Sequence, residues 1–121
     1  MITLIMITLI SPAKTLDLTS TDVEVFTTPD FQKETFELVS IMKKKSTDEI
    51  RKLMGVSENI ASLNEKRYKA FKRSFDPDNA KQALLAFKGD VYTKIDVDNY
   101  SKDDFEFAQN HLRILSGLYG L

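Results

Sequence analysis

The sequence predicts a mixed α/β (α+β) fold in which a β-sheet is wrapped by several helices. The opening run "MITLIMITLI" is rich in β-branched residues and favours a strand over about residues 2–10, ended by Pro12. Helix-start signals recur along the chain, each a Ser, Thr or Asp before an amphipathic segment. The segment "AFKGDVYTKI" is typical of a turn and a strand broken at Gly89, and "RILSGLYGL" is typical of a strand interrupted by Gly117 and Gly120.

The helices follow from these signals in chain order. The predicted starts are Thr28-Pro29, Ser46, Ser57, Asp76-Pro77 and Ser101, after a polar, irregular connection over residues 15–28. Ser46 and Glu49 have the spacing of a capping box, and Gly55 is placed to end that short helix. The predicted buried faces are Ile50, Leu53 and Met54 on the short helix, and Ile60, Leu63 and Phe71 on the next.

Size and composition predict one soluble domain. The chain has 121 residues, with 42% hydrophobic and 29% charged residues, and it lacks cysteine. Without cysteine there is no disulfide, thiolate metal site or thiol nucleophile, and a cytoplasmic location is the natural expectation. The opening run is too short to cross a bilayer as a helix, which needs about 20 apolar residues. No basic residue precedes it, so we predict neither an export signal nor a membrane partner.

The charges are unevenly distributed along the chain. From Lys43 to Arg73 there are ten Lys or Arg against four Asp or Glu, a net charge of +6. Residues 1–42 carry a net charge of −4, with two basic and six acidic groups, and residues 74–121 carry −3, with five and eight. A basic block favours phosphate-rich partners, although solvated helix faces give the same pattern.

The stretch "LMGVSENIA" lies inside this basic block. Two predicted helices meet there at Met54-Gly55-Val56, and Ser57 caps the second helix. This arrangement resembles the helix–hairpin–helix motif, in which a glycine allows a tight turn and backbone N–H groups hold a DNA phosphate. The motif prefers a second glycine where Ser57 stands and often a lysine where Asn59 stands. An ordinary helical corner with a glycine cap is the alternative interpretation.

Three loops carry polar residues next to predicted strands. Ser11 and Lys14 lie in "SPAKTL", Lys88 and Asp90 in "AFKGDVY", and Ser116 and Tyr119 in "LSGLYG". Loops at strand ends often hold ligands, although each of these is also compatible with a surface turn. The Walker pattern is absent. With His111 as the single histidine, neither a Ser–His–Asp hydrolase nor an iron or zinc site is predicted.

Taken together, "ISPAKTL", "LLAFKGDVYTKI" and "DDFEFAQNHLRILSGLYGL", in this order and spacing, resemble the YaaA family of bacterial peroxide-stress proteins over about residues 6–121. The resemblance implies a mixed α and β fold and a cytoplasmic protein that limits free intracellular iron. It also implies binding of double-stranded DNA through a positively charged cleft with a helix–hairpin–helix-like element, here within residues 46–73. It implies no established reaction, cofactor or metal site.

Carried over to this sequence, the resemblance gives two sets of candidate residues. The DNA-binding candidates are Gly55, Val56, Ser57, Lys66, Arg67, Lys69, Lys72 and Arg73. The candidates for a phosphate or ligand site are Ser11, Lys14, Lys88, Asp90, Ser116 and Tyr119. The leading hypothesis is a non-specific DNA-binding stress protein. The alternatives are an uncharacterised enzyme or small-ligand protein that uses the three loops, and motif residues that only stabilise the fold.

Family members are about twice this long and begin with one short strand. We therefore expect the chain to be the N-terminal part of a single YaaA-like domain, with Met6 as the usual start and the first "MITLI" as a surplus copy. Because five is odd and a strand repeats every two residues, Ile2 and Leu4 should face away from Ile7 and Leu9. Uncovered sheet edges should promote self-association.

Overall fold

The structure is a computed structural model that describes residues 5–121, and the mixed α/β class predicted from the sequence is confirmed. In the described residues the helices are α1 (Gln32–Met42), α2 (Thr47–Met54), α3 (Glu58–Ala70), α4 (Ala83–Ala86) and α5 (Lys102–His111). The strands are β1 (Thr8–Ile10), β2 (Thr15–Leu16), β3 (Phe87–Lys88) and β4 (Leu112–Ile114). Two 3₁₀ turns span Tyr92–Lys94 and Val97–Asn99.

The described residues form two compact units. The helical unit is Phe31–Ser74 and contains α1, α2 and α3. The strand unit consists of residues 5–30 and 75–121 and contains the remaining helices and all the strands named above. The prediction of one domain over the whole chain stays a prediction.

The strand unit holds two separate pairs of strands. β1 pairs in parallel with β4, with Thr8 opposite Leu112 and Ile10 opposite Ile114. β2 pairs antiparallel with β3. Parallel strands are normally covered on both faces, yet Leu9 in β1 is 53% exposed. The self-association expected from uncovered edges stays a prediction.

The opening strand is shorter than predicted within the described residues. β1 begins at Thr8 instead of continuing from the start of the chain, and residues 5–7 have no regular structure. The pairing with β4 covers only Thr8 to Ile10, so residues 5–7 have no partner strand there. The predicted facing of Ile2 and Leu4 lies outside the described residues.

The first helix begins later than predicted. Its N-cap is Phe31 instead of Thr28, because the buried Thr35 binds the Phe31 carbonyl through both its backbone N–H, at 3.0 Å, and its hydroxyl, at 2.9 Å. After Met42 the helix ends in hydrogen bonds between residues three apart, such as that from the Lys45 N–H to the Met42 carbonyl. Ser46 then adopts an extended conformation as the N-cap of α2.

The predicted caps at Ser46, Ser57 and Ser101 are confirmed. Ser46 and Glu49 form a reciprocal capping box, and Ser101 forms another with Asp104. The backbone N–H of Ser46, followed by the charge of Lys45, lowers the pKa of Glu49. Hydrogen bonds from the Ser101 side chain and backbone lower the pKa of Asp104. Both carboxylates therefore stabilise their helix starts at neutral pH, and the contribution is lost as the pH falls through their folded pKa values.

The helix predicted from Asp76-Pro77 and the strand predicted after Gly89 are wrong. One carboxylate oxygen of Asp76 accepts the N–H groups of Asp78 at 2.9 Å and Asn79 at 3.1 Å, which forms a local turn in place of a continuing helix. Helix α4 then forms only over Ala83–Ala86. Beyond Gly89 the chain turns through the two 3₁₀ segments, and the strand stops at Lys88.

The helical unit packs around a small core. Thr35, Val39, Ile50 and Ala61 are at most 3% exposed and come from all three helices. Several residues predicted to be buried are instead exposed, namely Leu53 (67%), Met54 (43%), Ile60 (47%) and Leu63 (46%). Three short helices bury only the residues at their common centre, so each helix leaves part of its apolar stripe uncovered.

Candidate functional site

The turn between α2 and α3 has the local geometry expected from the sequence. Gly55 adopts a left-handed conformation, with φ of 65° and ψ of 38°, and its N–H donates to the Arg51 carbonyl at 2.9 Å. A Cβ placed on Gly55 would meet nothing within 4 Å, so the backbone angle alone makes glycine the preferred residue. Gly55, Val56 and Ser57 thus form a three-residue connection between two packed helices.

Ser57 opens α3 and partly satisfies its first N–H groups. The Ser57 hydroxyl oxygen accepts the N–H of Ile60 at 3.4 Å. The N–H groups of Glu58 and Asn59, in the first turn of the helix, have no acceptor within the helix. Such groups attract anions, but the Glu58 carboxylate lies in the same turn and competes for that position.

Three basic residues project from α3 and are exposed, namely Lys66, Arg67 and Lys69. Lys69 forms an ion pair with Glu65, so the positive charge of Lys69 is partly neutralised. Glu65 also accepts a hydrogen bond from the Thr47 hydroxyl. These contacts, with Lys69 first, lower the pKa of Glu65. Within residues 5–121, Lys66 and Arg67 form no such pair. They are therefore the stronger candidates for an external phosphate.

Lys72 and Arg73 lie beyond the end of α3, which stops at Ala70. The Arg73 guanidinium stands over the Phe36 ring at 5.5 Å from its centroid. The Lys43 ammonium donates to the Phe71 carbonyl at 3.0 Å. Lys43 lies in the basic block but is not among the residues predicted to bind DNA, and the run of Lys43, Lys44 and Lys45 is the sequence signal that marks it.

The two parallel strands bring two of the three candidate loops to one edge of a sheet. Ser11 directly follows β1 and Ser116 follows β4 by two residues, and the Leu115 N–H donates to the Ile10 carbonyl at 2.9 Å. The Ser116 hydroxyl oxygen accepts the N–H groups of Leu118 at 3.2 Å and Tyr119 at 3.0 Å. Ser116 therefore shapes its own turn.

The third loop reaches the first through backbone and ring contacts. The buried Tyr92 hydroxyl donates to the Ser11 carbonyl at 2.6 Å. Gly89, with φ of 143°, lies so close to Ala13 that an added Cβ would stand 3.4 Å from the Ala13 side chain. Thr15 pairs with Lys88 across the β2–β3 ladder. The segments around Ser11, Lys88 and Ser116 are thus neighbours in space, joined mainly by backbone contacts.

The polar side chains of these loops have separate surroundings. Lys88 is half-buried, and its charge contributes to the lowered pKa of Asp17, which is caused first by hydrogen bonds from Thr19 and also by Lys81. Lys14 and Asp90 are exposed. The Tyr119 ring packs edge-to-face on Phe75. The structure thus brings the backbone segments together, and it assigns no common ligand to the side chains.

Replacing Tyr92 by phenylalanine should destabilise the strand unit by about 0.5–1.5 kcal/mol through loss of the bond to Ser11. Burial raises the pKa of Tyr92 above 10.0, so its stabilising contribution is present below about pH 10 and is lost as the pH rises through the folded pKa. The wild-type chain should therefore lose more stability than the variant between about pH 8 and about pH 11 in urea unfolding.

Tyr100→Phe is the matched control, because it removes a phenol hydroxyl from the same unit and should keep the wild-type pH dependence. Parallel stability curves for wild type and Tyr92→Phe across this pH range would contradict the assignment.

No helix within residues 5–121 is long and apolar enough to cross a membrane. In the same residues, His, Asp and Glu side chains do not gather in groups of three or more that could hold a metal ion.

The fold and these surfaces define a small mixed α/β protein with a basic three-helix unit and polar loops at strand ends. Residues 6–121 match the family described as peroxide stress protein YaaA, and the chain belongs to that family. A UPF0246 protein of Aromatoleum aromaticum is 52% identical over 117 residues, which cover 96% of this chain and 45% of that protein. The chain therefore spans about half the length of this curated relative, and the family membership predicted from the sequence is confirmed.

Proposed function

We propose that this chain is the part of a cytoplasmic peroxide-stress protein that binds double-stranded DNA without sequence preference through its helical unit. The observation that carries the proposal is the segregation of charge between the units. The helical unit has eleven Lys or Arg and six Asp or Glu, a net charge of +5, whereas the strand unit has six and twelve, a net charge of −6. A compact positive unit attracts the phosphate backbone of a duplex through release of counterions.

The turn from Gly55 to Ser57 supplies the second part of the proposal. A phosphate at the start of α3 would accept the N–H groups of Glu58 and Asn59, as in a helix–hairpin–helix element. Lys66 and Arg67 on the same helix would add sequence-independent attraction. The Glu58 carboxylate opposes this contact, so the basic side chains should contribute more than the turn.

Titration of a short fluorescent duplex with the 121-residue chain tests this proposal. With about four phosphate contacts, affinity should fall about a hundredfold between about 50 and 200 mM salt, whatever the duplex sequence. The salt dependence should be measured on two unrelated duplexes of equal length. Undetectable binding at low salt, or an affinity independent of salt, would exclude a phosphate-driven interface.

The role in peroxide stress is proposed to include limitation of free intracellular iron, supported by the resemblance to the YaaA family. Electron paramagnetic resonance of chelatable iron in whole cells measures this pool. Cells that lack the protein should contain more free iron after peroxide exposure than cells that express it. An unchanged iron pool would contradict this part of the proposal.

A small-ligand or enzymatic function of the three loops is the second candidate. It is favoured by the bond from Tyr92 to Ser11 and by the parallel pairing that places the Ser11 and Ser116 loops at one edge. Chemical-shift changes at these loops on addition of an anionic ligand, without changes in the helical unit, would support this function over DNA binding.

A further inference from the structure

A cleft of about 210 Å³ lies in the helical unit between the C-terminal half of α1 and the segment that follows α3. Its lining residues are Phe36, Val39, Ser40, Lys43, Phe71 and Arg73. The Phe36 and Phe71 rings meet edge-to-face, with centroids 6.3 Å apart. The rings and the buried Val39 form an apolar wall, and the polar groups of the cleft come from the other residues.

Lys43 is held in place by one contact and keeps most of its binding capacity. Its ammonium donates to the Phe71 carbonyl at 3.0 Å, which leaves two of its three donors for another acceptor. The Ser40 hydroxyl donates to the Phe36 carbonyl at 2.7 Å, so its proton is already used. The donors available to a ligand in this cleft therefore belong to the two cations.

Arg73 is oriented by its contact with the Phe36 ring. The guanidinium carbon is 5.5 Å from the ring centroid, within the range of a cation–π interaction. This contact restricts the side chain before any ligand arrives, so less conformational freedom is lost on binding. Its planar set of N–H groups matches the oxygens of a phosphate.

Three other cations of the helical unit are paired with carboxylates. Lys45 pairs with Glu49, Arg51 with Asp48, and Lys69 with Glu65. Within residues 5–121, Lys43 and Arg73 form no ion pair, although both line one cleft. Two exposed cations fixed by a carbonyl and a ring, without an acidic partner in that part of the chain, are suited to an external anion.

We infer that Lys43 and Arg73 form a clamp that holds one phosphate group of a nucleic-acid backbone in this cleft. The inference rests on the proposed DNA-binding function and adds an anchoring point on α1, apart from the turn at Gly55. The phosphate accepts charge-assisted hydrogen bonds from both side chains, which share a single anion. A free phosphate has the same chemistry, so the experiment includes both sources.

The test compares duplex binding of Lys43→Gln, Arg73→Gln and the double variant with that of Lys44→Gln. Lys44 is the exposed neighbour, and its replacement changes the net charge equally. Each clamp variant should weaken binding by about tenfold and Lys44→Gln by less than about threefold. If one phosphate is shared, the salt slope of the double variant should fall by about 0.9, instead of about 1.8 for two separate phosphates.

Clamp variants that bind like Lys44→Gln, or a double variant whose slope falls by about 1.8, would overturn the shared clamp and leave the proposed function standing. If the wild-type chain does not bind DNA, the proposed function fails. Titration with inorganic phosphate then tests whether Lys43 and Arg73 bind an anion. Phosphate-induced shifts of the Lys43 and Arg73 amide signals in nuclear magnetic resonance spectra, absent in the double variant, support a free-phosphate site. Without those shifts the clamp is overturned as well.

Discussion

Replacement of Ile50 by alanine is expected to destabilise the helical unit by about 2–5 kcal/mol. Ile50 is fully buried and lies in α2, where it belongs to a core of four buried residues. Its truncation removes apolar contacts and leaves a cavity that few neighbours can fill. Since total stabilities are commonly about 5–15 kcal/mol, this loss is a large share of the free energy of unfolding.

Leu53→Ala is the matched control for this prediction. Leu53 lies one turn along the same helix but is 67% exposed, so its truncation should change stability by less than about 0.5 kcal/mol. Urea unfolding followed by circular dichroism, with hydrogen exchange of the α2 and α3 amides, measures both variants. Equal losses would show that the exposure of Leu53 does not reflect its environment in solution.

Simultaneous replacement of Lys66, Arg67 and Lys69 by glutamine should weaken duplex binding about ten- to a hundredfold at low salt. The expected fall in the salt slope is about 2.7 if all three contact phosphate, and about 1.8 if Lys69 remains engaged with Glu65. Glutamine is preferred to glutamate because it retains the side-chain length and avoids placing a second carboxylate beside Glu65. Fluorescence anisotropy over a series of salt concentrations measures both quantities.

The control for this variant removes the same charge elsewhere. Lys33, Lys94 and Lys102 are exposed, and their joint replacement by glutamine lowers the net charge equally. Binding by this control should remain within about threefold of the wild type if the α3 surface is the interface. Equal losses in both triple variants would show that binding depends on net charge alone.

Predictions that depended on a few neighbouring residues agreed with the structure. The Ser46 capping box, the helix start at Ser101, the left-handed Gly55 and the Ser57 cap each involve groups within four residues of one another. Local patterns were less successful where the same residues fit more than one local structure. Thr28-Pro29 and Asp76-Pro77 both resemble helix starts, yet the buried Thr35 placed one start later and the Asp76 carboxylate formed a turn at the other.

The candidate sites likewise divide into features that the sequence predicts and features that only the fold shows. The basic character of the α3 surface followed from the charge pattern, because exposed lysines and arginines on a short helix are read directly from the sequence. The partnership of Lys43 with the segment around Arg73 could not be predicted, since it depends on how α1 packs within the helical unit. The bond from Tyr92 to Ser11 joins residues 81 positions apart and likewise required the fold.

The sequence by itself determined the family, the mixed α/β class, the caps of α2, α3 and α5, and the basic block between Lys43 and Arg73. These features are set by residue order, by hydrogen bonds within one turn and by the sum of charges, and none requires knowledge of distant contacts. The tertiary structure decided which apolar residues are buried, where the strands stop, and that the Lys43 ammonium reaches the Phe71 carbonyl. Those outcomes depend on packing between segments remote in the chain, which leaves Ile50 in the core and Leu53 exposed on the same helix.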